Sequence, residues 1–238
     1  WKVVEPRKTG HKYLVEQNGN QLFILADSHK ILQAPLNTPR QSNWVEWWSN
    51  PSHITLEVME IFKDYLVTYE RVQGIPQIHV FNIKTKEEHY IQQPEPTFAL
   101  TPKEGYELDS DVLHFKYSSL VTPESDVSYD IGDKKRQVLQ EDDILEYDSN
   151  LYQTERVMAT ASDGTQIPIS LVYKKGIKKD GTNPLLLYGY GAYGSTSDPV
   201  FDFSLLTLLD RGFIYAIAHI RGGGELGMEW YEAGKWLK

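Results

Sequence analysis

Residues Asn183–Gly194 read NPLLLYGYGAYG: an apolar run, Leu185 to Leu187, enters a turn made of Tyr188, Gly189, Tyr190 and Gly191. A second apolar stretch, GFIYAIAHI at Gly212–Ile220, runs into the glycine-rich RGGGELG at Arg221–Gly227. Two buried strands that each end in a glycine-rich loop, joined by one helix-length segment, describe the active-site edge of an α/β sheet. The joining segment, SDPVFDFSLLTLLDRG at Ser197–Gly212, reads as that helix. Ser197 or Asp198 suits its cap, Pro199 its first turn and Gly212 its end, with Phe201, Leu205, Leu206, Leu208 and Leu209 as a broad apolar face.

Upstream, ERVMATASDGTQIPISLVYKK (Glu155–Lys175) predicts a hairpin about Asp163-Gly164. Downstream, MEWYEAGKWLK opens a further helix. Hairpin, strand, helix, strand and helix start make the opening of an α/β fold.

Residues 1–148 read differently. Alternation marks strands at His11–Gln17, Gln21–Asp27, Asp64–Glu70, Pro76–Ile83 and Val112–Leu120, as in antiparallel sheets with one buried face. Turns separate them at Asn18-Gly19, Gln73-Gly74, Lys84-Thr85-Lys86 and Gly132-Asp133. NQLFILAD, KDYLVTYE and SDVLHFKY recur at about 45 residues, the spacing of four-stranded propeller blades. A β-sandwich is the competing architecture. The acidic EDDILEYDSNLY (Glu141–Tyr152) breaks the alternation and reads as the connection between domains 1–148 and 149–238.

Composition narrows the function. Across 238 residues, 40% are hydrophobic and 24% charged, which suits a globular chain with a substantial core. A net charge of −9 argues against a nucleic-acid partner, since phosphate binding needs a basic surface. There is no cysteine, hence no disulfide and no thiolate chemistry. No segment has the length and apolarity of a membrane span or a signal peptide, so the expectation is a cytoplasmic protein. The chain opens at Trp1 without methionine, as if within a longer protein.

The candidate chemistry is sparse. His11, His29, His53, His79, His89 and His114 are scattered without metal-ligand spacing, so no metal is expected. Gly222, Gly224 and Gly227 match GxGxxG only superficially and no phosphate cradle accompanies them, so no cofactor is expected. No serine lies in GxSxG; Ser195 sits in the polar STSD tract, and His219 reads as a core histidine rather than a general base. Tyr190 stands where the loop after an early strand supplies an oxyanion donor, with Gly189 and Gly191 letting the backbone place it. A tyrosine packed at a strand end is the plainer alternative.

YGYGAYG (Tyr188–Gly194) and HIRGGGELGMEWYEAGK (His219–Lys235) closely resemble the prolyl oligopeptidase family of serine peptidases. LLDRGFIYAI (Leu208–Ile217) and SDGTQIPISLVYKK (Ser162–Lys175) resemble its oligopeptidase B branch. The resemblance implies late blades of a β-propeller followed by the start of an α/β-hydrolase domain. It implies hydrolysis of short peptides, after Arg or Lys, by a Ser-Asp-His triad. Tyr190 matches the oxyanion-hole tyrosine, Tyr193 a substrate-pocket aromatic, and Arg221–Gly227 a loop-shaping motif. The nucleophile elbow, the triad's acid and base and the pocket for a basic side chain are expected beyond Lys238, so the chain alone is expected to be inert and its uncovered sheet edge to aggregate. A post-proline peptidase and a non-catalytic propeller module that binds a partner are the competing functions.

Overall fold

The computed structural model describes residues 3–49 and 54–236; Trp1, His53 and the last two residues of the stretch predicted as a C-terminal helix lie outside them. Sixteen strands fall into four four-stranded sheets among the described residues.

The first sheet holds β1 (Tyr13–Asn18), β2 (Gln21–Ala26), β3 (Lys30–Pro35) and β4 (Val45–Ser49) in sequence order. The second holds β5 (Ile54–Ile61), β6 (Tyr65–Val72), β7 (Ile75–Asn82) and β8 (Glu88–Tyr90), also in order. The third holds β9 (Ala99–Pro102), β10 (Val112–Ser118), β11 (Ser125–Asp130) and β12 (Lys135–Glu141). Sheets that begin at residues 13, 54 and 99 carry the repeat seen in the sequence, and each is a simple meander as a propeller blade requires.

The expected single buried face holds along β11, where buried and half-buried residues alternate, but not along β2 and β6, which are buried almost continuously. In β2, Phe23 and Leu25 join Ile31, Leu56, Met59, Ile61, Leu66 and Phe81 in one core, roofed by Trp47 and Trp48. Leu22 and Ile24, on the opposite face, join Ala34, Trp44 and Tyr13 in another. A strand alternates its side chains between faces, so a strand covered on both sides reads as a continuous apolar run.

By contact density the chain forms two compact units. One comprises Trp1–Gln73, Gln77–Ile91 and Gly105–Asp111; the other comprises Gly74–Pro76, Gln92–Glu104 and Val112–Lys238. The second unit therefore contains the third sheet, the connection after Glu141 and everything that follows.

The fourth sheet is built from β13 (Tyr152–Thr160), β14 (Gln166–Lys174), β15 (Leu185–Tyr188) and β16 (Ile214–Ala218), in the order β13-β14-β16-β15. β13 and β14 form the hairpin expected about Asp163-Gly164, with positive φ at Gly164 but not at Asp163. β14 meets β16 antiparallel, and β15 meets β16 parallel, with Leu185 opposite Ile214 and Tyr188 opposite Ile217. Its core is Leu120, Val121, Tyr152, Val172, Leu209 and Ile217. β15 was expected to be buried; it is the edge strand, and Leu185 and Leu187 are 55% and 58% exposed.

The helix expected over Ser197–Gly212 shrinks to a 3-10 turn at Phe203–Leu205 and α1 (Leu206–Leu209). Its cap is Asp202, whose carboxylate accepts the Ser204 N–H at 2.9 Å, and neither Ser197 nor Asp198 serves. The reason is tertiary. Ser197 N–H is taken by Glu225 at 2.9 Å and Phe201 N–H by the Ser118 hydroxyl at 3.0 Å, which ties both ends of the segment between them to other parts of the chain. The C-terminal helix is α2 (Met228–Ala233).

Candidate active site

Because β15 and β16 run parallel, their C-terminal ends reach the same edge of the sheet, and both glycine-rich loops start there. The loops interlock backbone to backbone. Gly194 N–H donates to the Gly222 carbonyl at 2.9 Å, and Gly224 N–H donates to the Ser195 carbonyl at 3.2 Å. Gly222 N–H in turn donates to the Trp230 carbonyl of α2 at 3.0 Å. A Cβ at Gly222 would lie 2.1 Å from the Gly191 oxygen, and one at Gly224 2.2 Å from the Gly194 oxygen. Both distances are impossible for a side chain, so these glycines make room for the neighbouring loop. The resemblance of RGGGELG to a phosphate-binding fingerprint is thereby accounted for without a phosphate.

Tyr190 is 51% exposed at the crest of the first loop. Tyr193 is 85% exposed and has φ +59°, a left-handed conformation that is uncommon for a bulky residue. The turn that produces it closes with Ser195 N–H donating to the Ala192 carbonyl at 3.1 Å. A cleft of about 420 Å³ lies beside Tyr188, Leu205, Tyr215 and Ile217, and neither Tyr190 nor Tyr193 lines it. The two sequence-predicted site residues thus share one exposed loop and lie outside this cleft.

The second loop is anchored at its start. Arg221 Nη1 donates to Asp163 Oδ2 at 2.5 Å, tying the loop to the tip of the β13–β14 hairpin. Asp163 also accepts the Thr165 N–H, and together the backbone donor and the guanidinium draw its carboxyl down to about 2. Both partners are substantially exposed, so this pair sets direction more than stability.

Beneath the loops lies a buried polar group built around His219. His219 is 2% exposed, as expected, but its imidazole Nε2 is 2.8 Å from the Ser170 hydroxyl of β14, and its Nδ1 faces Glu225 at 3.6 Å. Ser170 and Glu225 are 49 residues before and six after it in sequence; only the β14–β16 pairing and the turn of the glycine loop bring them together. No spacing within the sequence could have disclosed the group.

Two family descriptions match separate parts of the chain. The family described as "Prolyl oligopeptidase, N-terminal beta-propeller domain" matches residues 1–142, and "Prolyl oligopeptidase family" matches residues 199–238. The Tyr190 loop falls between the two matches. Dipeptidyl aminopeptidase BI of Pseudoxanthomonas mexicana is 34% identical over 241 residues, covering 98% of this chain and 33% of the relative. Protease 2 of Moraxella lacunata is 34% identical over 239 residues, covering 98% of this chain and 34% of the relative. Among solved structures, oligopeptidase B from Leishmania major superposes with a TM-score of 0.87 at 34% identity, over 97% of this chain and 34% of that one. The chain spans about a third of the length of the relatives it matches.

Proposed function

Because the chain belongs to the prolyl oligopeptidase family, we propose that it serves as a central part of a serine peptidase that hydrolyses short peptides after Arg or Lys. In this reading residues 1–148 contribute late blades of the propeller and residues 149–238 begin the hydrolase domain. The Ser-Asp-His triad and the pocket for the basic side chain are carried outside these 238 residues. A cytoplasmic location belongs to the same reading, and fractionation of source cells checks it.

The observation that carries the proposal is the placement of Tyr190. Its loop leaves the C-terminal end of a parallel strand and is locked by backbone bonds to a second loop, and the phenol remains half exposed. A rigid loop with an accessible O–H is what oxyanion stabilisation demands, because a donor already in place costs no reorganisation when charge develops. Tyr190 then donates to the carbonyl oxygen as the serine attacks, together with a backbone N–H from the nucleophile's turn. Tyr193, on the same loop, supplies an aromatic surface for the substrate.

The test is Tyr190→Phe in the whole peptidase. Loss of one oxyanion donor lowers kcat by about 10²–10³-fold while KM changes little. An unchanged kcat removes Tyr190 from the mechanism. Cleavage of matched Arg- and Pro-containing peptides by the same protein decides the specificity: preference for the Pro peptide rejects the basic-residue reading.

A further inference from the structure

Thr97, Ser170, His219 and Glu225 are 1%, 0%, 2% and 2% exposed, respectively. They form one line through the second unit. Thr97 Oγ1 lies 2.6 Å from Ser170 Oγ, Ser170 Oγ lies 2.8 Å from His219 Nε2, and His219 Nδ1 lies 3.6 Å from Glu225 Oε1. Glu225 Oε1 also accepts the Ser197 N–H at 2.9 Å.

Hydroxyl, imidazole and carboxylate in that order are the parts of a nucleophilic triad. Burial rules out that use, since no substrate carbonyl reaches an oxygen with no exposed surface. The ends of the line indicate another. Thr97 immediately precedes Phe98 and the start of β9 in the third sheet, while Ser197 is where the chain leaves the Tyr190 loop. The line therefore runs from the third sheet, through β14 and the end of β16, to the exit of the loop that carries Tyr190.

The carboxylate at one end favours one proton order along it. Burial alone would raise the Glu225 carboxyl, but contacts with His219 and with the Ser197 N–H outweigh it and hold the group below the ordinary carboxylate range. An anion only accepts, so the imidazole proton faces it from Nδ1. Nε2 then accepts from Ser170, and the Ser170 oxygen accepts from Thr97. Two links are within hydrogen-bond distance and the third, between imidazole and carboxylate at 3.6 Å, is an electrostatic contact, so the buried groups hold one another in place.

We propose that Ser170, His219 and Glu225 are positioning residues that act through Tyr190, by fixing the exit of its loop against Arg221–Gly227. The proposal rests on the oxyanion role assigned to Tyr190 above. It brings no new bond-making step; it assigns the loop's accuracy to a buried group that touches no substrate.

A double-mutant cycle in the whole peptidase tests it, using Tyr190→Phe, Ser170→Ala and the double variant, with active sites counted by fluorophosphonate titration. Misplacement of the phenol by Ser170→Ala lowers kcat by about tenfold per active site, with KM changed less than about twofold. In the Tyr190→Phe background the same change lowers kcat by less than about twofold, because the group it positions is already gone. A purely structural role lowers the active fraction, or gives multiplicative losses. Either result, or full activity of Ser170→Ala, overturns the proposal while leaving the Tyr190 role standing. A normal kcat for Tyr190→Phe alone rejects the oxyanion reading and this inference with it. If Ser170→Ala does not fold, Glu225→Gln, which keeps the side chain's size and removes its charge, takes its place in the cycle with the same criteria.

Discussion

At Glu60 in β5, 5% exposed, burial raises the carboxyl to about 7, and the charge of Glu16 adds to the rise. Glu16 is itself raised by burial, and the phenol of Tyr106 reaches it at 3.5 Å while accepting the Ile61 N–H at 3.3 Å. Folded Glu60 thus keeps its proton up to about pH 7, whereas the unfolded side chain releases it near 4.5. Between these values the folded state binds more protons, so stability falls as pH rises. The contribution is complete below about pH 4.5 and lost through pH 7. Urea melts at pH 5 and pH 8 are expected to differ through this group on the order of 3 kcal/mol. Glu60→Gln is expected to abolish most of that difference, and an equal loss in the variant would refute the assignment. His219 was legible as buried, since apolar neighbours surround it, but its partners come from another strand and another loop. Glu60 was invisible, because a strand Glu looks solvent-facing until both sides of its sheet are covered.

Elements were legible where local chemistry decides them. The hairpin at Asp163-Gly164 formed as expected, and the β15 and β16 strands with their glycine loops lie at the expected places. The long helix failed because two backbone N–H groups, at Ser197 and Phe201, found partners far away in sequence. The interlocked loops permit a sharp test. Gly222→Ala forces a Cβ to 2.1 Å from the Gly191 oxygen at φ +92°, whereas Gly164→Ala meets only open space at φ +85°. Both substitutions carry the backbone strain of a left-handed alanine, about 1 kcal/mol. Only Gly222→Ala must also push the loops apart, and it is expected to lose at least about 2 kcal/mol in chemical denaturation. Amide exchange at Gly189–Ser197 should speed up in that variant alone. Equal losses at the two positions would mean that the loops are not held by this contact.

For the molecule as a whole, the repeat of apolar alternation was enough to announce blades, and the three meandering sheets bear it out. What alternation could not convey is that neighbouring sheets share cores, because a strand's second face is covered by residues tens of positions away. The surface explains how the chain should behave alone. Its net charge of −9 favours dispersal, yet β15 ends the fourth sheet with Leu185, Leu187 and Tyr188 open to solvent. An apolar edge with unpaired backbone groups is a template for pairing with a second chain. The isolated 27.4 kDa chain is therefore expected to self-associate in light scattering, and Leu187→Lys to reduce that association. A monodisperse monomer before any substitution would count against it.

The mutual fit of the two glycine-rich loops also constrains inheritance and engineering. Neither loop can be lengthened, swapped from a relative or diversified in a library without its counterpart, since each is the mould for the other's main chain. A workable graft would carry Gly189–Ser197 and Arg221–Gly227 as one cassette, together with Ser170 beneath them.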